Sequence, residues 1–494
     1  MFKKILIANR GEIAVRIVRT CRDLGITAVA VYEPGDEGVL HVRLADEAYA
    51  VEPPYSYRDP EPMVAIARQA GADAVHPGYG FLSEQVGFTR DCEEAGITVI
   101  GPGSACLERT ANKIAALEQV RQTGIATTVA STRAFTVDEG DALHAEARHL
   151  GYPVIVKAWA GGRGRGTRVV REPERLLEVV RDSAVAAQAV YGDPRVYLET
   201  AILPARYIEV LVLADNHGNV VHLGERDCSI QRNKRKVIAE IPAPGLTPAQ
   251  RVAVRDAAVE VARLFGCRGA CAVEFLVDTA GRYYFTELKP RLQVEHPVNE
   301  MVTGIDAVRE QIRLAADQPL GYSQDDVRIN GVSFLCRINA EDPWRDYLPS
   351  PGRISAFRAP GGPNVRVDTY AYGGAEVPVH YEPMFAKLSV WGANREEALG
   401  RLRRALTEFA ISGIDTNLGM LRQIVAEPEF FAGSYDTEFS RRHLVAAAPP
   451  IGENLRDLAA VAALAFLARA QAAQPSSPPG FNTGWHRDSR RLPQ

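Results

Sequence analysis

The first hundred residues constrain the fold most. KILIAN (4–9) is a strand-like apolar run, RGEIAVRIVRTCRDLGI carries apolar residues at helical spacing, and TAVAVY (27–32) is strand-like again. A strand, a helix and a second strand in that order pair the two strands in parallel, because only a long crossover can return the chain in the same direction. The alternation continues with a helix around 61–70, the strand DAVHPGYG (73–80), a helix near 86–95 and the strand ITVIGPG (97–103). A parallel sheet faced by helices is expected. The turn after the first strand contains only Gly11, so the G-x-G-x-x-G fingerprint of a dinucleotide fold is missing and a Rossmann dehydrogenase is not supported.

At a typical domain size of roughly 100–200 residues, a chain of 494 residues holds two to four domains. Its 57 Lys+Arg against 61 Asp+Glu give a net charge of −4, which offers no broad cationic field to nucleic acid or to an anionic membrane. The N-terminus lacks the apolar core of a secretory signal. The apolar stretch LAAVAALAFLARAQAA (458–473) is broken by Arg469 and falls short of the roughly 20 residues that span a bilayer. A cytoplasmic protein is expected. Its seven scattered cysteines are expected to be reduced and mostly buried, and Cys267 with Cys271 has no second pair or nearby histidines to complete a zinc site.

Residues 126–200 read as a smaller insert: a helix near 138–149, the strand YPVIVKA, a glycine-rich turn at 161–166, a further helix and the strand VYLET (196–200). Antiparallel hairpins follow through IEVLVLAD (208–215), VVHLGERD (220–227), ACAVEFLVD and YYFTEL (283–288). From about 349 the chain is strand-rich, ending in helices at 395–410 and 416–426, then an Ala-rich helix and the linker-like PSSPPGFNTGW. The fold class is therefore α/β and α+β.

Three segments carry chemistry. VKAWAGGRGRGTRVV (156–170) sets Lys157 on a strand ahead of Gly161, Gly162, Gly164 and Gly166, whose backbone N–H groups can close over polyphosphate. AVEFLVD and YFTELKPRLQVEHPVNE place Glu274 and Glu287 on neighbouring strands, where both carboxylates can face one cleft and share Mg²⁺. Read as a continued strand, the second segment also puts Arg291, Gln293 and Glu295 on one face, supplying an anion donor, an amide and a base, with His296 beside them. ERDCSIQRNKRKVIAEIPAP (225–244) adds Arg226, Arg232, Lys234, Arg235 and Lys236, a grip for phosphate and bicarbonate or simply a solvated basic loop.

Together, ANRGEIAVRI (8–17), HPGYGFLSE (76–84), the Lys157 glycine loop, ERDCSIQR, ELKPRLQVEHPVNEM and CRINAEDP (336–343) resemble the biotin carboxylase branch of the ATP-grasp superfamily, in uninterrupted order over residues 1–445. The resemblance implies a biotin carboxylase N-terminal domain with a parallel sheet (1–112), an ATP-grasp domain (113–332) with a mobile glycine-loop lid (about 130–200), a C-terminal domain (333–445) and an Ala-rich tail (446–494). It implies an ADP-forming ligase in which ATP and bicarbonate form carboxyphosphate, which yields CO₂ for N1 of biotin. Lys113, Lys157, the four glycines, Gln231, Lys234 and Leu276 would bind ATP, with Glu199 and Ile202 at the adenine end. Glu274 and Glu287 would hold Mg²⁺, or Mn²⁺ in its place. Lys236, Arg291, Gln293 and Val294 would hold bicarbonate, Glu295 would be the general base and Arg337 would stabilise the charge on biotin. A homodimer, a biotin carboxyl carrier protein and a carboxyltransferase are the implied partners.

Several positions depart from the family pattern, and they cluster around ATP. Thr200 replaces a Lys, Tyr207 a His, and Lys289 the usual metal-side Asn, while the basic loop reads QRNKRK and the glycine loop carries Ala160, Arg163 and Thr167. Lys289 could repel Mg²⁺ or pair with the carboxylate meant for it. Alternatively, Arg163, Lys234 and Lys289 could together restore the charge lost at Thr200 and Tyr207. No Met-Lys pair occurs among the five methionines, so biotin is expected on a separate carrier. Two other readings stay open: an ATP-grasp carboxylase or ligase acting on a different nitrogen acceptor, and a non-catalytic nucleotide-binding paralogue.

Overall fold

The structure is a computed structural model that describes residues 1–160, 167–444, 461–467 and 469. It divides into two units, Met1–Val445 and Ala446–Gln494. In the second, residues 461–467 are helical and exposed. The first opens with the expected parallel sheet, in which β1 (Lys4–Ile7), β2 (Thr27–Tyr32), β3 (Glu47–Ala50), β4 (Ala74–His76) and β5 (Thr98–Val99) lie in the order β3-β2-β1-β4-β5. Helix α1 (Gly11–Asp23) crosses from β1 to β2 and buries Ile13, Ala14, Ile17, Val18 and Cys21, the spacing of one helical face. Gly11 has φ +69°, and a Cβ there would lie 3.4 Å from the Tyr370 ring. Glycine lets the chain turn into the helix directly beneath a residue of the C-terminal region. β1 and β4 are shorter than their apolar runs. The Asn9 amide instead donates to the carbonyls of Pro77 and Tyr79 at 2.7 and 3.0 Å, tying the ends of the two strands together.

The insert forms its own small layer. β6 (Val154–Ala158) lies between β7 (Arg168–Val170) and β8 (Val196–Thr200), all antiparallel, with helices Gly140–Leu150 and Leu176–Tyr191 against them. Phe135, Leu143, Val156, Val180 and Leu198 bury one another in a core of the insert's own. Antiparallel strands then build the body: β9 (Ala205–Ala214), β10 (Val220–Asp227), the hairpin β11 (Gln231–Arg232) and β12 (Arg235–Lys236), β13 (Ile238–Ile241), β14 (Gly269–Asp278), β15 (Tyr283–Lys289) and β16 (Val332–Asn339). The large sheet runs β15-β14-β9-β10-β13-β16, followed by strands Met384–Gly392 and Val365–Thr369. Helices Arg395–Glu408 and Leu418–Ala426 cover its C-terminal end close to the expected positions.

One local reading is corrected. The segment from Arg291 to Glu295 is not a strand: β15 ends at Lys289, and 290–295 turn into the helix His296–Thr303. Pro290 has no N–H to extend the ladder, and Pro297 occupies the first helical turn, where a missing N–H costs nothing.

Buried charge joins the distant layers. Lys387 Nζ on the strand Met384–Gly392 lies 2.9 Å from Glu12 Oε2 on α1, with side chains 0% and 3% exposed. Removing one partner of such a pair typically costs about 3–5 kcal/mol. Two buried histidines make the N-terminal layer acid-sensitive. Burial lowers His41 to about 4 and His76 to about 3, and nearby arginines add to the effect. The unfolded chain takes up these protons near pH 6.5, whereas the folded chain does not until about pH 4. Stability is therefore complete above pH 6.5 and is lost as pH falls through this window. The His41 shift alone is worth about 3 kcal/mol. The expected outcome is a Tm that falls between pH 6.5 and 4, with a shallower decline in His41→Gln; identical slopes for the two proteins would rule out this source of acid sensitivity.

Candidate active site

Strand register places three glutamates side by side. Glu274 on β14 is the direct cross-strand partner of Glu287 on β15 and of Glu209 on β9. Glu209 and Glu274 are 0% and 2% exposed, and the Glu287 side chain is 19% exposed. Carboxylates so placed repel each other unless cations neutralise them. Lys236 contacts Glu209 and lies 3.3 Å from Glu274, Arg226 donates to Glu209 at 3.0 and 3.1 Å, and Glu287 receives Lys113 at 2.6 Å and Lys289 at 2.9 Å. Burial raises Glu274 to about 8: Lys236 pulls the other way, and the charges of Glu209 and Glu287 add to the rise. Glu287 lies well below the usual carboxylate range, because Lys113 and Lys289 outweigh its burial. Two carboxylates abreast in a cleft, one of them deprived of a stable charge by burial and by its neighbours, fit a divalent ion that would relieve that repulsion.

The Tyr207 hydroxyl donates to Glu274 Oε2, and the Gln293 amide donates to Glu274 Oε1 at 2.6 Å. The turn at 290–295 thus delivers its side chains in different directions. Gln293 faces the acidic strands, while Arg291 donates to Glu84 Oε1 at 2.6 Å. Val294 is half-buried. Glu295 is 1% exposed and accepts from Arg337 on β16, Nε at 2.7 Å. Burial pushes Glu295 upward, but Arg337 and Lys236 outweigh it and hold the carboxyl below its ordinary range, ionised at neutral pH. A buried carboxylate kept charged beside a guanidinium and an ammonium can accept a proton from an anion drawn in by those same cations. His296 is no part of this arrangement. It is fully buried, Nδ1 faces the Gln293 carbonyl at 2.8 Å, and burial holds it neutral.

A second cluster lies between the insert and the basic loop. Lys157 on β6 donates to Glu199 on β8 at 2.6 Å. Lys234 sits in the β11–β12 turn at φ +63°, where burial and the Lys157 charge lower its pKa while Glu438 and Glu199 oppose them. Gln231 donates to the Cys228 carbonyl at 2.9 Å, Ile202 follows β8 and Leu276 lies on β14, both half-buried. Gly161, Gly162, Gly164 and Gly166, with Arg163, lie outside the described residues. Lys113 opens the helix Lys113–Gln122, which is capped by the Asn112 side chain on the Ala115 N–H. It lines a cavity of about 110 Å³ with Glu84, Thr110, Glu287 and Lys289.

Within the basic segment, Arg226, Lys234 and Lys236 turn toward these clusters, and Arg232 and Arg235 do not. Arg232 pairs with Asp346 and Arg235 with Glu382, while Arg226 is buried against Glu209 and Asn299. Sequence reasoning missed Glu209, although a single acid in the apolar run IEVLVLA was its signal. It also missed Glu84 as the partner of Arg291, although Glu84 closes the HPGYGFLSE motif.

Three family models match in succession: the N-terminal domain of biotin carboxylase at residues 1–107, the ATP-binding domain of the carbamoyl-phosphate synthase L chain at 112–323, and the C-terminal domain of biotin carboxylase at 335–442. Biotin carboxylase 1 of Bacillus subtilis is 45% identical over 444 residues, which cover 89% of this chain and 98% of that protein. The biotin carboxylase of Pseudomonas aeruginosa is 43% identical over 447 residues, which cover 90% of this chain and 99% of that protein. Among solved structures, the biotin carboxylase domain dimer of Hydrogenobacter thermophilus 2-oxoglutarate carboxylase, in complex with MgADP, ADP and bicarbonate, superimposes with a TM-score of 0.88 at 41% identity, covering 91% of this chain and all of that one. The Campylobacter jejuni biotin carboxylase complex gives 0.86 at 39% identity, covering 90% of this chain and 99% of that one. With this coverage and a continuous order of matching domains, the chain belongs to the biotin carboxylase family.

Proposed function

We propose that this chain uses ATP and bicarbonate to carboxylate biotin presented by a carrier protein, releasing ADP, and that Glu295 and Arg337 are its central catalytic pair. The observation that carries the assignment of roles is the buried Glu295–Arg337 contact beside Lys236. Lys236, Gln293 and Arg291 hold bicarbonate, with Val294 alongside. Glu295 takes the bicarbonate proton as the oxygen attacks the γ-phosphate, so the ion gains nucleophilicity only where the phosphate is held. Arg337 then stabilises the negative charge that develops on the ureido oxygen of biotin, for which a planar, permanently charged guanidinium is suited.

Lys113, Lys157, Gln231, Lys234 and Leu276 bind the nucleotide with the glycine loop, and Glu199 with Ile202 meets the adenine end. Glu274 and Glu287 hold the divalent ion, Mg²⁺ or Mn²⁺, which neutralises phosphate charge. Within the chain, Lys113 and Lys157 are paired to Glu287 and Glu199, and Arg291 is paired to Glu84. Each cation is thus already partly desolvated and oriented, and binding exchanges one anionic partner for another.

The domain bounds follow the same reading: 1–112, 113–332 with the lid at about 130–200, 333–445 and the tail 446–494. The separate core of the insert supports a lid that moves as one body. Its closure would exclude water from carboxyphosphate. We assign a homodimer, as in the Hydrogenobacter relative, with a carboxyltransferase as the next partner in the system. Seven free, buried thiols suit a reducing cytoplasm.

The test is initial-rate ADP release with ATP and Mg²⁺, with and without bicarbonate and free biotin. A rate that requires both is expected; dependence on bicarbonate alone would point to another nitrogen acceptor, and no turnover to a nucleotide-binding paralogue. Glu295→Gln should lower the rate by about 10²–10⁴-fold with ADP affinity retained; a rate near wild type would remove Glu295 as the base. Arg337→Ala should lower the biotin-dependent rate by about 10²–10³-fold. It should also raise the acid limb of the residual pH profile, because the Glu295 carboxyl loses the guanidinium that holds it low.

A further inference from the structure

Lys289 is committed to Glu287 by the strand that carries both. The two residues lie two apart on β15 and so project from one face, with Lys289 in register opposite Ala272. Its Nζ donates to Glu287 Oε2 at 2.9 Å, and Lys113 Nζ lies 2.6 Å from the same oxygen. The Lys289 side chain is 16% exposed and lines the small cavity beside Glu84 and Thr110.

The oxygens of the carboxylate pair can be counted. Glu274 Oε2 accepts from Tyr207, and Glu274 Oε1 accepts from Gln293 and faces Lys236 at 3.3 Å. Glu287 Oε2 carries the two lysines, which leaves Glu287 Oε1 without an ammonium partner among the described residues. Glu274 and Glu287 would together hold one divalent ion, as phosphate-bound Mg²⁺ takes one or two carboxylates. A second ion would have to share Glu287 with the ammonium groups already on its Oε2. When nucleotide draws Lys113 to its phosphates, Lys289 stays beside Glu287, which projects from the same face of β15 two residues away. A second dication would then stand within a few ångströms of a fixed ammonium in a site of low dielectric.

We propose that Lys289 serves as a built-in substitute for a second divalent cation, so that the enzyme–nucleotide complex holds one metal ion and Lys289 supplies the remaining fixed positive charge beside the polyphosphate. The inference rests on the proposed function only in requiring that ADP binds here. It names a determinant of metal stoichiometry in this chain rather than a participant in proton transfer.

The experiment counts Mn²⁺ on the full chain at saturating ADP, by the electron paramagnetic resonance signal of the free ion, with bound ADP measured in parallel. The wild type is expected to hold one Mn²⁺ per bound ADP, Lys289→Asn two, and Lys289→Arg, which keeps the charge, one. Two Mn²⁺ per ADP in the wild type would overturn the proposal whatever the variants do, and so would a single Mn²⁺ in Lys289→Asn that still binds ADP. Failure of the wild type to bind ADP at all would overturn both this inference and the nucleotide assignment beneath it, whereas ADP bound with two metal ions overturns the inference alone.

Discussion

The arrangement depends on one electrostatic constraint, the placing of Glu209, Glu274 and Glu287 abreast on three adjacent strands. Cross-strand neighbours are about 5 Å apart, and two charges at that distance interact by about 3 kcal/mol even at an effective dielectric of 20. Such a row survives only if cations come to it, and they come from separate parts of the chain. Lys113 arrives on a helix, Lys236 on the basic loop, Arg226 on β10 and Lys289 on β15 itself. The relative placement of the helix, the loop and the sheet is thereby tied to the charge of the row. A second set of ion pairs extends the same tie outward, with Glu295 to Arg337 on β16 and Glu12 to Lys387 on the next strand.

A site neutralised by its own side chains is prepared for anions in a particular way. Lysines left free in solvent would have to shed water and restrict rotamers when phosphate arrives. In the proposed site they have partly done both, because Lys157 and Lys113 are held by carboxylates that phosphates would resemble in charge. The cost is that each departing lysine strands a carboxylate. The stranding is partial: Glu287 keeps Lys289, and Glu199, 3% exposed, still faces Lys234.

Much of this was legible in the sequence, and the failures have identifiable causes. Periodicity located the parallel sheet, the insert and its two helices, because each segment buries a single face and its spacing reports that face. The pairing of Glu274 with Glu287 followed from a short turn between two strands, a local relation. The strand assigned to Arg291–Glu295 failed because alternation of side-chain types imitates a strand, while Pro290 and Pro297 set the backbone. Arg291 and Gln293 consequently diverge, one to Glu84 and one to Glu274. Glu209 and Glu84 escaped because their importance is a matter of register and of long-range approach, with Glu84 more than two hundred positions from the arginine it pairs with. No window along the chain contains that relation.

The departures from the family pattern around ATP can now be separated by where each charge goes. The idea that Arg163, Lys234 and Lys289 jointly restore lost cations treats them as interchangeable, which their surroundings contradict for two of them. Lys289 spends its charge on Glu287, whereas Lys234 lies beside Lys157 and is balanced by Glu438 and Glu199 at the other end of the site. Arg163 lies outside the described residues. Tyr207 is different again, a neutral donor whose proton goes to Glu274 Oε2. A neutral donor orients that carboxylate and adds no charge to the three-glutamate row. An added cation at position 207 would bring a second positive group to a carboxylate that already faces Lys236 at 3.3 Å, and the neutral tyrosine avoids that.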